Sequence, residues 1–261
     1  NVVGYGSSLV AYAIFCYYAV IVGWVLYYFW SSLTGSLSDL MVQATAESKA
    51  YENYFTGFIS HPWMPILFLA VTMGIIHFII VAGVEKGIEQ FSRVVMPMLV
   101  LLVIFICIYS LFIEHTDPLT GETRTGMQGA AIFFIPDFEG MTLTRFLKIM
   151  MDACSQLFFS LSVAMGIMVA YGSYMKRSVN LGKAVDQIEI FDTLIAIIAG
   201  LMVIPVVYMF AIKTGTPVKE AMNAGPGLMF VTLPKVFAMF GGGAAWIGLA
   251  FFLLVAFAAA T

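Results

Sequence analysis

From Leu143 to Met175 the chain is almost continuously apolar and carries the run Asp152-Ala-Cys-Ser-Gln156-Leu-Phe158-Phe159-Ser160-Leu161-Ser162-Val-Ala-Met165-Gly166. As one helix this segment would be about 50 Å long at about 1.5 Å per residue, well beyond the ~30 Å hydrocarbon core of a bilayer. The predicted interruption is the Ser160-Leu161-Ser162 step, with Gly166 close behind. Hydroxyls there can satisfy freed backbone groups, and glycine permits non-helical angles. Two half-helices meeting at mid-membrane bring helix ends and unpaired carbonyls to one point, an arrangement suited to ions and anionic substrate groups.

That a bilayer is the solvent follows from composition. The chain is 61% apolar and 10% charged with mean hydropathy +0.97, against roughly 25% charged residues in soluble domains. A formal charge of -3, spread over short loops, gives no basis for nucleic-acid binding. Cys16, Cys107 and Cys154 all lie inside apolar segments and read as packed small side chains rather than disulfides or metal ligands. No Asn-x-Ser/Thr acceptor occurs and the long loops lack cysteine, which leans toward a bacterial membrane.

The predicted fold class is an all-α polytopic membrane protein, a single transmembrane domain over 1–261. Spans are expected at 9–30, 62–83, 94–113, 143–175 (broken), 181–212 and 245–261 (truncated), with extracellular loops at 31–61, 114–142 and 213–243. Because the chain opens on Asn1 and stops at Thr261 within apolar segments, it reads as an internal fragment. Lys86, Arg93, Lys176, Arg177 and Lys183 crowd the short turns at 85–93 and 175–183, which places those turns in the cytoplasm.

Asp152, Gln156 and Ser160 recur at i, i+4 and i+8, a polar stripe on one helix face that ends at the break. It faces protein or a water-filled path, since lipid would be costly. Asp192, about 16 Å into the following helix, needs a cation, a proton or a hydrogen-bond cage. A sodium ion shared with Ser160 suits its oxygen chemistry, and a proton carried on the carboxyl is the alternative. Ala196, Ala199 and Gly200 continue its face and admit the close approach of another helix. His61, His77 and His115 lie on separate elements without the spacing of an intramembrane metalloenzyme, so no catalytic role is expected.

Phe158-Phe159-Ser160-Leu161-Ser162, preceded by Asp152-Ala and Gln156, resembles the sixth-helix signature of the neurotransmitter:sodium symporters, whose fold is that of the bacterial leucine transporter. Tyr17-Tyr18 with Gly23-Trp24, Glu85-Lys-Gly-Ile-Glu89 with Pro97, Pro136-Asp-Phe138, Gly225-Pro-Gly-Leu228 with Thr232-Leu-Pro234, and Phe251-Phe-Leu-Leu254 leading to Thr261 match in order. The resemblance covers essentially the whole chain. It implies helices three to the start of eight of a partial inverted-repeat fold, with helices one, two and eight onward missing, so that the fragment alone should not transport.

The roles below come from that resemblance. Ile14, Tyr18, Phe159, Ser160, Ser162 and Met165 are similar to substrate-binding residues, Tyr18 bonding the substrate carboxylate and Phe159 acting as a lid. Ser160 and Asp192 resemble ligands of a first sodium site, Ala258 and Thr261 part of a second. Tyr174 resembles a tyrosine supporting the cytoplasmic gate. The implied protein is a sodium-coupled symporter of a neutral or hydrophobic amino acid in a bacterial inner membrane, with Na+ at two sites and no organic cofactor. A proton-coupled or exchanging carrier of the same fold, or a receptor that keeps the pocket, are the alternatives. Two departures stand out. Ala196 holds the place where chloride-dependent members carry serine, so Asp192 is expected to supply the fixed charge and chloride to be dispensable. Ala164 holds a place often occupied by glycine, and its methyl is expected to restrict substrate size.

Overall fold

The protein's computed structural model describes residues 2–43, 49–81, 89–116, 123–136, 138, 140–175, 179–213, 225–238 and 240–259. In order these form α1 (Val2–Leu33), α2 (Ser36–Gln43), α3 (Ala50–Ile59), α4 (Met64–Val81), α5 (Gln90–Phe112), the antiparallel hairpin β1 (Glu114–Thr116) and β2 (Thr123–Thr125), α6 (Gly126–Phe134), α7 (Leu143–Ser160), α8 (Ile167–Tyr174) and α9 (Leu181–Lys213). A π-helical turn, Leu228–Thr232, then runs into α10 (Leu233–Ala238), and α11 (Ala244–Ala259) follows. Segments Gly4–Leu33, Met64–Val81, Ser92–Phe112 and Leu181–Tyr208 are each long and apolar enough to cross a membrane. On α4 nearly every side chain is apolar and just over half of its residues are exposed, the pattern of a helix with one face toward hydrocarbon. The all-α polytopic class stands, and the broken span is present as α7 and α8.

The chain divides into two compact units. One comprises 1–17 and 135–197, the other 18–134 and 198–261. The larger unit is organised by aromatic packing at one end of α1. Tyr28 is fully buried, and its hydroxyl donates to the Phe230 carbonyl at 2.9 Å. Tyr27 stacks on Phe58 of α3 at 3.8 Å, and Phe55 of the same helix stacks on Phe230 at 5.2 Å. Trp24 meets both Phe55 and Phe230 edge-on. Within the polar stretch 31–61, α2 and α3 are helical and α3 therefore forms a folded cover. Apolar residues at 51, 55 and 58 give α3 one packing face, and pairs of this kind contribute roughly 0.5–1.5 kcal/mol each beyond their burial.

Around Lys235 the cover meets α10. The Lys235 ammonium lies 5.9 Å from the Tyr51 ring centre. Burial lowers the affinity of that amine for its proton, and the Glu52 carboxylate pulls it partly back. Burial pushes the Tyr51 hydroxyl up to about 12.

Close backbone approaches fix the remaining helices of this unit. At Gly23 an added Cβ would lie 3.1 Å from the Leu69 nitrogen, so α1 and α4 cross in direct contact. Within 114–142, read from sequence as a polar loop, α6 is seated in the same way. A Cβ on Gly126 would collide with the Ser110 carbonyl oxygen, and one on Gly129 would come within 2.6 Å of Pro205 Cα. Gly200, from the small-residue face expected to receive another helix, receives the Phe133 ring of α6. Arg124 on β2 donates to the Tyr208 hydroxyl at 3.4 Å and lies over its ring, tying the hairpin to α9. Among the cysteines, Cys107 is buried, whereas Cys16 and Cys154 are exposed and all three are free. The packed reading therefore applies to Cys107.

Gly126→Ala overpacks a site closed by backbone atoms and is expected to destabilise by about 1–3 kcal/mol. Gly57→Ala, in open space on α3, is expected to be neutral or stabilising by a few tenths to about 1 kcal/mol. Thermal unfolding of the two purified variants in detergent checks the contrast; equal behaviour would contradict the seating of α6.

Candidate functional site

Helix α7 is started and stopped by identifiable chemistry. Thr142, in extended conformation, accepts a hydrogen bond from the Arg145 N–H at 3.3 Å and caps the N-terminus. At the other end the Val163 N–H bonds the Phe158 carbonyl at 2.9 Å and the Ser162 N–H bonds the Phe159 carbonyl at 3.1 Å. This 6→1 and 5→2 pair is a Schellman stop, whose left-handed residue is usually glycine. Here it is Ser162, with φ 53°. Ala164 is left-handed as well at φ 64°, and Gly166 at φ 77° is the residue from which α8 starts.

The interruption exposes both kinds of backbone group. The first intrahelical donor of α8 is the Ala170 N–H, which bonds the Gly166 carbonyl at 3.1 Å. The N–H groups of Ile167, Met168 and Val169 thus form an unpaired first turn, while carbonyls beyond Phe159 leave the α7 ladder. Opposite them, the Ser160 hydroxyl donates to Asp192 Oδ1 at 2.5 Å. One residue is the last of α7 and the other lies on α9, so a single contact joins the break to its neighbouring helix. Hydroxyl, carboxylate and carbonyl oxygens are hard donors that suit an alkali or alkaline-earth cation better than a transition metal.

The smaller unit contains most of the residues singled out in the sequence. Asp152 and Gln156 lie exposed along α7, and Phe159 is exposed one residue before its end. Ser162 and Met165 are half-buried within the break, Ile14 is half-buried on α1, and Tyr174 is exposed as the last residue of α8. Among these candidates, the side chains of Ser160 and Asp192 are joined by a hydrogen bond. Tyr18 and Ala258 belong to the larger unit, and Thr261 lies outside the described residues.

Features missed by the sequence reading lie near the same pair. Asp192 forms one edge of an open groove along α9 with Gln187 as its other polar member, between Ala184, Ile188, Phe191 and Ile195. The signal was present as a glutamine five residues before Asp192 in an apolar helix. Gly166 sits against α1, where a Cβ would come 3.3 Å from that of Ser7.

A broken helix whose open end is joined to a carboxylate on the next apolar helix is an arrangement that secondary transporters use. Residues 56–261 match the Sodium:neurotransmitter symporter family, and the chain belongs to it. The chain is 29% identical over 90% of its length to an uncharacterized sodium-dependent transporter, YhdH, of Bacillus subtilis, of which it covers 46%. It is 30% identical over its full length to an uncharacterized sodium-dependent transporter of Haemophilus influenzae, covering 52% of that protein. A more distant relative, at 24% identity over 97% of the chain and 45% of the relative, is the sodium- and chloride-dependent GABA transporter 2 of Rattus norvegicus. Among solved structures, MhsT in complex with L-phenylalanine matches with TM-score 0.77 and 33% identity, over 99% of this chain and 52% of MhsT. The chain thus spans about half the length of the relatives it matches.

Gly166→Ala would force an L side chain into the left-handed region and press it on Ser7. Destabilisation of about 1–3 kcal/mol is expected, read as a lower melting temperature, whereas Gly172→Ala in open space on α8 is expected to have no such effect.

Proposed function

We propose that this chain is part of a sodium-coupled symporter that moves a neutral or hydrophobic amino acid by alternating access without requiring chloride. The observation that supports this reading best is the Ser160–Asp192 hydrogen bond at the open end of α7. That bond brings a carboxylate to the end of α7, where hard oxygen donors would suit a sodium ion. Sodium would be held there by Ser160 and Asp192, and a second sodium by Ala258 and Thr261. Its gradient supplies the driving force. The substrate carboxylate would meet Tyr18 and the α8 N-terminus, and its side chain Ile14, Phe159, Ser162 and Met165. Asp152 and Gln156 would line the polar path from outside, and Tyr174 would support the cytoplasmic gate. The phenylalanine bound to MhsT favours a hydrophobic amino acid.

The family is one of transporters, and no catalytic chemistry is assigned to this chain. Its partners in transport would be the helices that the relatives carry outside the matched half, namely helices one, two and eight onward. The bacterial relatives support a location in a bacterial plasma membrane, with the turns at 85–93 and 175–183 in the cytoplasm. Chloride independence rests on Asp192, whose fixed negative charge would do what a bound chloride does elsewhere.

Uptake of radiolabelled neutral amino acids into proteoliposomes containing the full-length carrier tests the reading. An inward sodium gradient is expected to drive uptake, and replacing chloride by gluconate is expected to leave it unchanged. Asp192→Asn is expected to cut sodium-stimulated uptake at least about tenfold, the equivalent of losing roughly 1.4 kcal/mol of ion binding. Uptake driven by a proton gradient without sodium would replace this reading with proton coupling, and sodium-dependent binding without flux would replace it with a receptor.

A further inference from the structure

The π-helical turn of the larger unit, Leu228–Thr232, has a cause in its own sequence. In an α-helix the carbonyl of residue 230 accepts a hydrogen bond from the N–H of residue 234. Residue 234 is proline, which has no N–H and whose ring clashes with the carbonyl four residues back. The chain widens at this place. The Leu233 N–H bonds the Leu228 carbonyl, five residues back, and regular helix resumes as α10 at Leu233. Widening relieves the clash, but it does not return to the Phe230 carbonyl the α-helical donor that proline lacks. Phe230 is 1% exposed and Pro234 is fully buried, so bulk water does not supply one either, and a buried carbonyl without a partner is costly.

The donor at hand is the Tyr28 hydroxyl of α1, 2.9 Å from that carbonyl. Its ring is enclosed by those of Tyr54, Phe230 and Phe252, which fixes where the hydroxyl points. We propose that Tyr28 replaces the donor that Pro234 removes, and that the two residues together form a latch fastening residues 228–238 to α1. The ends of this segment do not fasten it. Gly225 and Gly241 are both left-handed, at φ 64° and 56°, and an added Cβ would meet nothing within 4 Å at either. Burial of Leu233, Val236 and Phe237 holds the segment to the unit, but apolar burial is non-directional. The hydroxyl selects one carbonyl, and so sets which turn of the segment is seated against α1. Tyr28 is in this sense a positioning residue, and its role is independent of what the carrier moves.

Hydrogen exchange in the full-length protein in detergent, read over a double-mutant cycle of Tyr28 and Pro234, tests the latch. Tyr28→Phe keeps the ring and removes only the hydroxyl. Exchange at the amides of 228–238 is expected to rise at least about fivefold, while residues 51–58 of α3, whose Tyr54 packs on the same ring, stay within about twofold of wild type. In Pro234→Ala, residue 234 regains an N–H for the Phe230 carbonyl, and the same Tyr28→Phe change is expected to alter exchange by less than about twofold. Pro234→Ser restores the same N–H and takes the place of the alanine variant if that one does not fold. Exchange at 228–238 within about twofold of wild type in Tyr28→Phe would overturn the latch. So would an equal acceleration with and without the proline, or one shared by 51–58, since either would make the hydroxyl a general packing element.

Discussion

A backbone N–H or carbonyl has no water to turn to inside a bilayer, so a helix can be interrupted there only where other groups take over its hydrogen bonds. The smaller unit obeys this constraint in an economical way. The Schellman stop reuses the Phe158 and Phe159 carbonyls within α7, Gly166 restarts the chain as α8, and the polar groups left over collect within a few residues of Ser160. The side chain that reaches across to them, Asp192, is set on α9 more than two helical turns from the start of that helix at Leu181. The contacts proposed at the break depend on this concentration of unsatisfied groups, because an uninterrupted helix would pair its backbone groups internally.

The larger unit supplies a different property. Aromatic residues from α1, α3, the π-helical turn and α11 interlock around Tyr28 and Phe230, and α6 is clamped by backbone contacts at Gly126 and Gly129. Large rigid rings and glycine-mediated contacts leave little freedom to repack. The unit therefore has the packing of a part that does not deform readily. Its segments outside the spans are equally well tied down, α3 by stacking and the β1–β2 hairpin by Arg124 on Tyr208.

Much of this architecture was legible because bilayer physics writes itself into composition. Runs of apolar residues announce spans, and the excessive length of 143–175, with two serines and a glycine, announced the break. The pairing of Ser160 with Asp192 was legible too, since two intramembrane polar residues on consecutive spans need partners. What escaped was information carried by shape rather than by polarity. Nothing in the polar stretch 31–61 distinguishes a solvated loop from a cover until Tyr27 and Phe58 are seen stacked. The seating of α6 depends on which glycines face which backbone, and glycines are too common in loops to declare this. Likewise, Gly200 marked a place of close approach, but only the fold reveals that its visitor is the Phe133 ring.

Magnitudes show why the break is held so narrowly. Two non-glycine residues in the left-handed region cost roughly 1–2 kcal/mol each, and the open first turn of α8 forgoes intrahelical bonds worth about 1 kcal/mol apiece. Against these stand the Schellman bonds and one hydrogen bond to a carboxylate, which contributes roughly 1.5–3 kcal/mol. The opposing sums are of the same size, so neither dominates by the margin that keeps a hydrophobic core in one arrangement. An ion that binds the exposed oxygens, or a carboxylate that binds the exposed amides, adds a term comparable with the whole balance. Contacts made by a ligand at the break would therefore be comparable in size with the terms that hold it.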